Sequence, residues 1–382
     1  MYYEEKRKDK EKLIMYCFMV LIIALLLVLI LRNSNTQLQY SNNYTAEKLN
    51  YDENTNKKFD EINLVDEFDI ENATESIVGI SKIKQTGTSV FINNAEQKLG
   101  LGSGVIITDN GYILTNQHVA GNKYSSCYVS LSDGKIYEGN VVWADSNIDL
   151  AIVKINKSNL SYLEFGDSDN LKLAEEVYAI GNPLGLDFQK TITKGIISAL
   201  NRTIKLEDNE SNVYMEDLIQ TDATINQGNS GGALINNSGK LIGINSVKIS
   251  NAEGIGFAVP INIVKPIINK LVNNNRFDEA WLGIYGYDKE AIQYLDSNIE
   301  IESGVYVAQI AVDGPAFGLD IREGDVITKI DDVKINKMNE LKKYIYSKSP
   351  NDFVTLHIKR NNREFSIDVK LWGKSWKVKE YY

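Results

Sequence analysis

From Ser76 onward the chain alternates short apolar stretches with polar or glycine-bearing turns: SIVGI, GVIIT, YILT, VVWA, LAIVKI, EVYAIG, GIISAL, ALI, KLIGINSV and GFAVPI. Short apolar runs at this spacing predict an all-β barrel or sandwich. In TDNGY, Asn110 and Gly111 stand between two such runs, which predicts a two-residue hairpin turn. A helix with Ile263, Ile267 and Leu271 on one face closes the segment, and NNNRFDEA (273–280) follows as a hinge. Residues 281–374 form a smaller unit, with strands GVYVAQI, DVITKI, FVTLHIKR and EFSIDVKL and a helix near 339–347 that aligns Leu341, Tyr344 and Ile345.

Ahead of the β-rich part the pattern is different. Leu13 to Leu31 carries no charge over 19 residues, and as a helix it is roughly 28 Å long, close to the hydrocarbon thickness of a bilayer. Its length, and the lack of a small-x-small cleavage site after it, favour an uncleaved membrane helix over a signal peptide. Lys6, Arg7, Lys8, Lys10 and Lys12 precede the span and only Arg32 follows it closely, which leaves residues 1–12 cytoplasmic and everything after the span outside. Residues 32–75, rich in Asn, Asp, Glu and Lys, read as a flexible polar linker.

Composition adds exclusions. The 382 residues are too many for one ordinary domain. With 41 basic against 51 acidic residues, and no basic cluster beyond the first dozen, nucleic acid is not an expected partner. Of the two cysteines, Cys17 lies in the span and Cys127 is alone in the exported part, so no disulfide is expected there. No metal or organic cofactor is indicated, because the 76–272 segment holds one histidine, one cysteine and no close carboxylate cluster.

The candidate chemistry centres on NQGNSGGALIN, where Gly228, Gly231 and Gly232 surround Ser230. Glycines permit a sharp bend and close approach of a substrate carbonyl, and the bend can aim two amides, those of Gly228 and Ser230, at one oxyanion, with Asn229 holding the loop. A serine hydroxyl needs a base. His118 in ILTNQHVA and Asp149 in DSNIDLAIVKI both stand at strand ends, and the only other histidine is His357 in the second unit. GNSGG also fits the G-x-S-x-G elbow of α/β-hydrolases, but that fold needs a histidine after the serine and a helix after the elbow. Here a strand, turn, strand pattern follows, and the order His118, Asp149, Ser230 is that of the chymotrypsin-type double barrel.

GSGVIITDNGYILTNQHVA, DLAIVKI, YAIGNPLGL, GIISALNR, QTDATINQGNSGGALIN and GIGFAVPIN resemble the successive motifs of the HtrA/Deg serine proteases, and the unit after them resembles a PDZ module. The likeness spans about Ser76 to Gly373, with Gln227 where proline is frequent and Ala120 where a larger aliphatic is common. It implies a double six-stranded barrel at 76–272 and an α+β PDZ domain at 281–374, following the single transmembrane helix. Catalysis would use His118, Asp149 and Ser230. Ile225 and Ile249 would line a pocket for small or medium aliphatic side chains, and Leu282, Gly283 and Ile284 would hold a peptide's terminal carboxylate. Arg202 is a candidate activation relay within a switch loop at 202–215, and a second switch loop covers 248–254. The implied partners are unfolded or damaged envelope proteins as substrates, peptide C-termini at the PDZ domain, and two further copies in a homotrimer. The competing expectation is an inert, membrane-tethered PDZ scaffold.

Overall fold

The computed structural model describes residues 70–82, 101–182, 191–207, 212–226, 228–248, 254–274, 276–361 and 363–374. The Leu13–Leu31 span, most of the linker and Ile249 lie outside the described residues.

Twelve strands make two closed barrels. The first joins β1 (Ile77–Lys82), β2 (Leu101–Ile106), β3 (Tyr112–Thr115), β4 (Ser126–Ser130), β5 (Ile136–Asp145) and β6 (Leu150–Ile155) in the order β1-β2-β3-β6-β5-β4. The second joins β7 (Glu176–Gly181), β8 (Thr191–Glu207), β9 (Asn212–Thr221), β10 (Ala233–Asn236), β11 (Leu241–Lys248) and β12 (Gly256–Pro260) in the order β10-β11-β12-β9-β8-β7. The run LAIVKI shows why these strands read as nearly continuous apolar stretches. Ala151, Val153 and Ile155 fill the first barrel, whereas Leu150 and Ile152 face the shared core between the barrels. With side chains alternating across the strand, burial of both faces removes the polar positions that a half-exposed strand would show. The second barrel is filled by Val177, Ile197, Ile219, Leu234 and Ile242.

Several expectations are revised. β4 and β9 were not among the apolar runs, because SCYVS and NVYMEDLIQT are interrupted by polar positions. The connection at Asn110-Gly111 is longer than two residues: Gly111 alone takes positive φ (+95°) and donates to the Thr108 carbonyl, while the Thr108 hydroxyl bonds Asn110 and accepts from the Tyr112 amide. The linker expected through residue 75 ends sooner, since helix α1 (Ile70–Thr74) buries Ala73 in the shared core. The expected switch loop at 202–215 is largely a continuation of β8 and β9, whose register runs from Arg202 opposite Leu218 to Glu207 opposite Asn212.

Helix α2 (Gln117–Ala120) follows β3, and helix α3 (Lys265–Asn274) buries Ile267, Ile268 and Leu271 on the shared core. The expected hinge is not a free tether: Phe277, Glu279 and Ala280 are buried. Beyond it, β13 (Ala280–Trp281) pairs with β20 (Trp372–Gly373). A second sheet runs in the order β14-β15-β16-β18-β19, made of Ile284–Tyr287, Val305–Ile310, Val326–Ile330, Phe353–Arg360 and Arg363–Lys370, with β17 (Val333–Lys334) on β16. Helix α4 (Lys289–Leu295) is capped by Asp288, which accepts from the Ala291 amide. Helix α5 (Met338–Ser347) buries Leu341 and Ile345 inside this unit, but turns Tyr346 into the core shared by the barrels, beside Phe277 and Trp143.

Candidate active site

Each candidate catalytic group comes from a place where the backbone is constrained. Asp149, just ahead of β6, holds φ +51°, a left-handed conformation uncommon for a residue with a side chain. Its carbonyl accepts from Asn116 Nδ2 (2.9 Å) and the Gln117 amide (3.2 Å), which fastens it to the end of β3 and the start of α2. In return its carboxylate accepts from the His118 amide at 3.0 Å and meets His118 Nδ1 at 2.8 and 3.0 Å. The contact leaves Nε2 as the outward nitrogen, on a side chain 51% exposed, while that of Asp149 is 13% exposed.

Ser230 lies at the other barrel's edge. Gly228 and Gly231 take φ +103° and +83°, and a Cβ on Gly231 would stand 2.1 Å from the Ser103 carbonyl oxygen. The amides of Asn229, Gly231 and Gly232 are committed to Asn226, Asn245 and Asn229 carbonyls. Among the described residues, the amides of Gly228 and Ser230 have no acceptor, which is what an oxyanion site requires. Asn229 is buried, with Nδ2 reaching the Thr224 carbonyl at 3.4 Å.

Two residues absent from the sequence reading organise this site. Ser103 Oγ donates to the Gly228 carbonyl and accepts from the Asn182 amide, both at 2.6 Å, and the Ser103 amide donates to the Ser230 carbonyl at 2.8 Å. It thereby sews the nucleophile loop to both barrels. Ser246 sits at a bulge in β11, where the register slips between Asn245 and Val247, and such a bulge re-aims a side chain. Its hydroxyl donates to Asp149 Oδ2 at 2.9 Å, and its carbonyl accepts the Ser230 hydroxyl at 2.9 Å. Among the described residues no hydrogen bond joins Ser230 to His118, so the proton that the imidazole would take is held by Ser246. A serine hydroxyl carries no backbone-independent signal in a strand, so only the fold could have singled out Ser103 and Ser246.

The remaining expected residues are distributed unevenly. Ile225 is 3% exposed, part of the second-barrel core, and a Cβ on Gly256 would stand 2.8 Å from its Cδ1. Its side chain is therefore core packing against β12 and not an open pocket wall. Arg202 lies exposed in β8 with Nε donating to Gln220 Oε1 at 3.1 Å, a cross-strand contact away from the catalytic groups. Leu282 and Gly283 precede the edge strand β14. Gly283 takes φ +75°, and neither of their amides has an acceptor among the described residues. A cavity of about 400 Å³ there is lined by Leu282, Ile284, Leu341 and Ile345 and, from the first barrel, by Asp145 and Asn147.

A family model described as a trypsin-like peptidase domain matches residues 102–244, and one described as a PDZ domain matches 271–371. The serine protease Do-like HtrA of Bacillus subtilis (strain 168) is 36% identical over 329 residues, covering 81% of this chain and 73% of that protein. The periplasmic pH-dependent serine endoprotease DegQ of Escherichia coli (strain K12) is 36% identical over 278 residues, covering 71% and 59%. Among solved structures, the HtrA-type protease AlgW with a tripeptide superposes with a TM-score of 0.58 at 31% identity, covering 81% of this chain and 97% of that one. The serine endoprotease from Yersinia pestis gives 0.54 at 30% identity, covering 80% and 97%.

Proposed function

This chain belongs to the HtrA family of serine proteases, and from that premise we propose that it is a membrane-anchored, extracytoplasmic endopeptidase that cleaves unfolded or regulatory envelope proteins under control of its PDZ domain. The observation that carries the catalytic assignment is the Asp149 carboxylate bonded to both the amide and Nδ1 of His118. That pair fixes the tautomer in which Nε2 is free to accept a proton and stabilises the imidazolium once it forms. Ser230 Oγ leaves the Ser246 carbonyl by rotation about Cα–Cβ, attacks the scissile carbonyl, and yields its proton to His118. His118 then protonates the leaving amine, and water hydrolyses the acyl-enzyme by the same base. The Gly228 and Ser230 amides hold the oxyanion, each worth about 3 to 4 kcal/mol in the transition state.

A preference for small or medium aliphatic side chains before the cut rests on the family resemblance alone, since Ile225 is packed in the second-barrel core. The amides of Leu282 and Gly283, without an acceptor among the described residues and beside edge strand β14, suit a peptide's terminal carboxylate, with the peptide backbone adding to the sheet. Anchoring rests on the uncharged Leu13–Leu31 run and the lysines before it. The family resemblance supports a homotrimer.

Labelling by a fluorophosphonate probe tests the enzyme assignment: wild type reacts, whereas Ser230→Ala and His118→Ala do not. Equal labelling of Ser230→Ala would remove Ser230 as the nucleophile. Retention of the full chain in carbonate-washed membranes, and its release when residues 1–32 are deleted, tests the anchor.

A further inference from the structure

The turn that delivers Asp149 is gripped from the PDZ domain. β5 and β6 are joined by Ser146–Asp149, and Asp145 at the end of β5 pairs with Leu150, the residue after Asp149. Asp145 is buried and its carboxylate is shared: Oδ1 accepts from the Asn147 amide at 2.8 Å, inside the turn, and Oδ2 accepts from the hydroxyl of Tyr346 at 2.5 Å. Tyr346 belongs to α5 of the PDZ domain, is 4% exposed, and lies edge-on to Trp143 of β5 at 5.9 Å and to Phe277 at 6.4 Å. A PDZ helix therefore supplies a side chain that fills the protease core and ends on the carboxylate closing the Asp149 turn. Ile148, in the same turn, is buried in that core as well.

We propose that Tyr346 is a positioning residue for catalysis, acting through Asp145 and the turn Ser146–Asp149 to set the Asp149 carboxylate against His118. The proposal rests on the assignment of Asp149 and His118 to the reaction. It makes the PDZ domain part of the catalytic scaffold, beyond any peptide it binds. It also places the peptide groove against the same lever, because the cavity beside Leu282 and Ile284 is walled by Asp145 and Asn147. The grip is electrostatically coherent. Burial pushes the Asp145 carboxyl up, but the charges of Lys342 and Lys374, with the Tyr346 hydroxyl and Asn147 amide, outweigh it and hold it below its ordinary range. Burial, with the nearby Asp145 and Glu279 charges, pushes the Tyr346 phenol well up, so it stays a donor.

Tyr346→Phe in the full chain keeps the ring against Trp143 and Phe277 and deletes only the hydroxyl. With alkylated, unfolded lactalbumin and a chromogenic peptide as substrates, kcat should fall about ten- to a hundredfold at unchanged KM, the scale of a small misplacement of a catalytic group. The pH–rate profile should change with it, because the Asp149 contact that orients the His118 ring is altered. Asp145→Asn, read the same way, should give a loss of the same kind and stands in if the phenylalanine variant does not fold. Lys343→Ala, which removes the 2.8 Å Lys343–Asp169 ion pair between the same two domains, should leave kcat and the profile at wild type. Wild-type kcat and pH profile in Tyr346→Phe, or an equal loss in Lys343→Ala, would overturn the proposal. Ser230→Ala run in parallel separates the two failures: if it stays active the catalytic assignment falls, and if it is dead while Tyr346→Phe is fully active only the positioning role falls.

Discussion

Ser246 donates its hydroxyl to Oδ2 of Asp149 at 2.9 Å, across the boundary between the two barrels. The carbonyl of the same residue holds the Ser230 hydroxyl at 2.9 Å. One bulged residue thus holds both the Asp149 carboxylate and the Ser230 hydroxyl. Ser246→Ala removes only the first function, since the carbonyl remains. A hydrogen bond to a charged group contributes about 1.5 kcal/mol or more, so kcat/KM should fall about tenfold or somewhat more. Steady-state kinetics on a peptide substrate measures it, and an unchanged kcat/KM would show that Asp149 needs no help from β11.

Gly231→Ala is expected to be far more severe. Its φ is +83°, and the new Cβ would meet the Ser103 carbonyl oxygen at 2.1 Å and the Thr115 hydroxyl at 2.4 Å. Neither neighbour can retreat, because Thr115 Oγ1 donates to that same carbonyl at 2.6 Å. Stability should drop by at least about 2 kcal/mol from backbone strain alone, seen as a lower denaturant midpoint, with activity lost at temperatures where the variant is still folded.

Stability should decline as pH rises, through Glu216 in β9. Burial and the neighbouring Asp288 charge raise its carboxyl from 4.5 to about 8, against the opposing charge of Lys342. The folded protein therefore binds this proton more tightly than the unfolded chain. The stability this supplies is complete below 4.5 and is lost as pH climbs through about 8. Melting temperatures at pH 5 and pH 8.5 should differ more for wild type than for Glu216→Gln, whose amide carries no proton to lose. Equal declines in the two proteins would exclude Glu216 as the source.

Cys127 should resist modification in the folded state. It is buried in the first barrel, and burial pushes its thiol up to about 12. Thiolate, the reactive form, is scarce at neutral pH. Peptide mapping after iodoacetamide at pH 8 should find Cys127 unmodified in native protein and fully alkylated in urea.

Deleting the chain from Trp281 onward should destabilise the two protease barrels. The truncation strips Tyr346 from Trp143 and Phe277, and losing a buried aromatic side chain costs about 3 to 5 kcal/mol. A melting temperature for the truncated protease equal to that of the full chain would show that the barrels close without it.

The motif stretches made the candidate catalytic trio legible, because GNSGG, TNQHVA and DSNIDLA each combine a potentially reactive side chain with the glycine or strand-end context that such chemistry needs. The doubly buried strands were legible too, since burial on two faces writes a continuous apolar run. Strands β4 and β9 were harder to see, with polar residues facing outward at irregular positions. Ser103, Ser246 and Tyr346 left no mark at all: an isolated hydroxyl acquires a role only from what the fold brings beside it.

The order of residues by itself determined which groups could react and which segments had to be buried, because both depend on side-chain type and local period. Tertiary structure alone decided that Ile225 is core, that the segment after the last protease helix is packed instead of free, and that a PDZ tyrosine closes on Asp145, 201 positions away in sequence. Those outcomes are set by contacts between distant segments, whose partners no local pattern specifies.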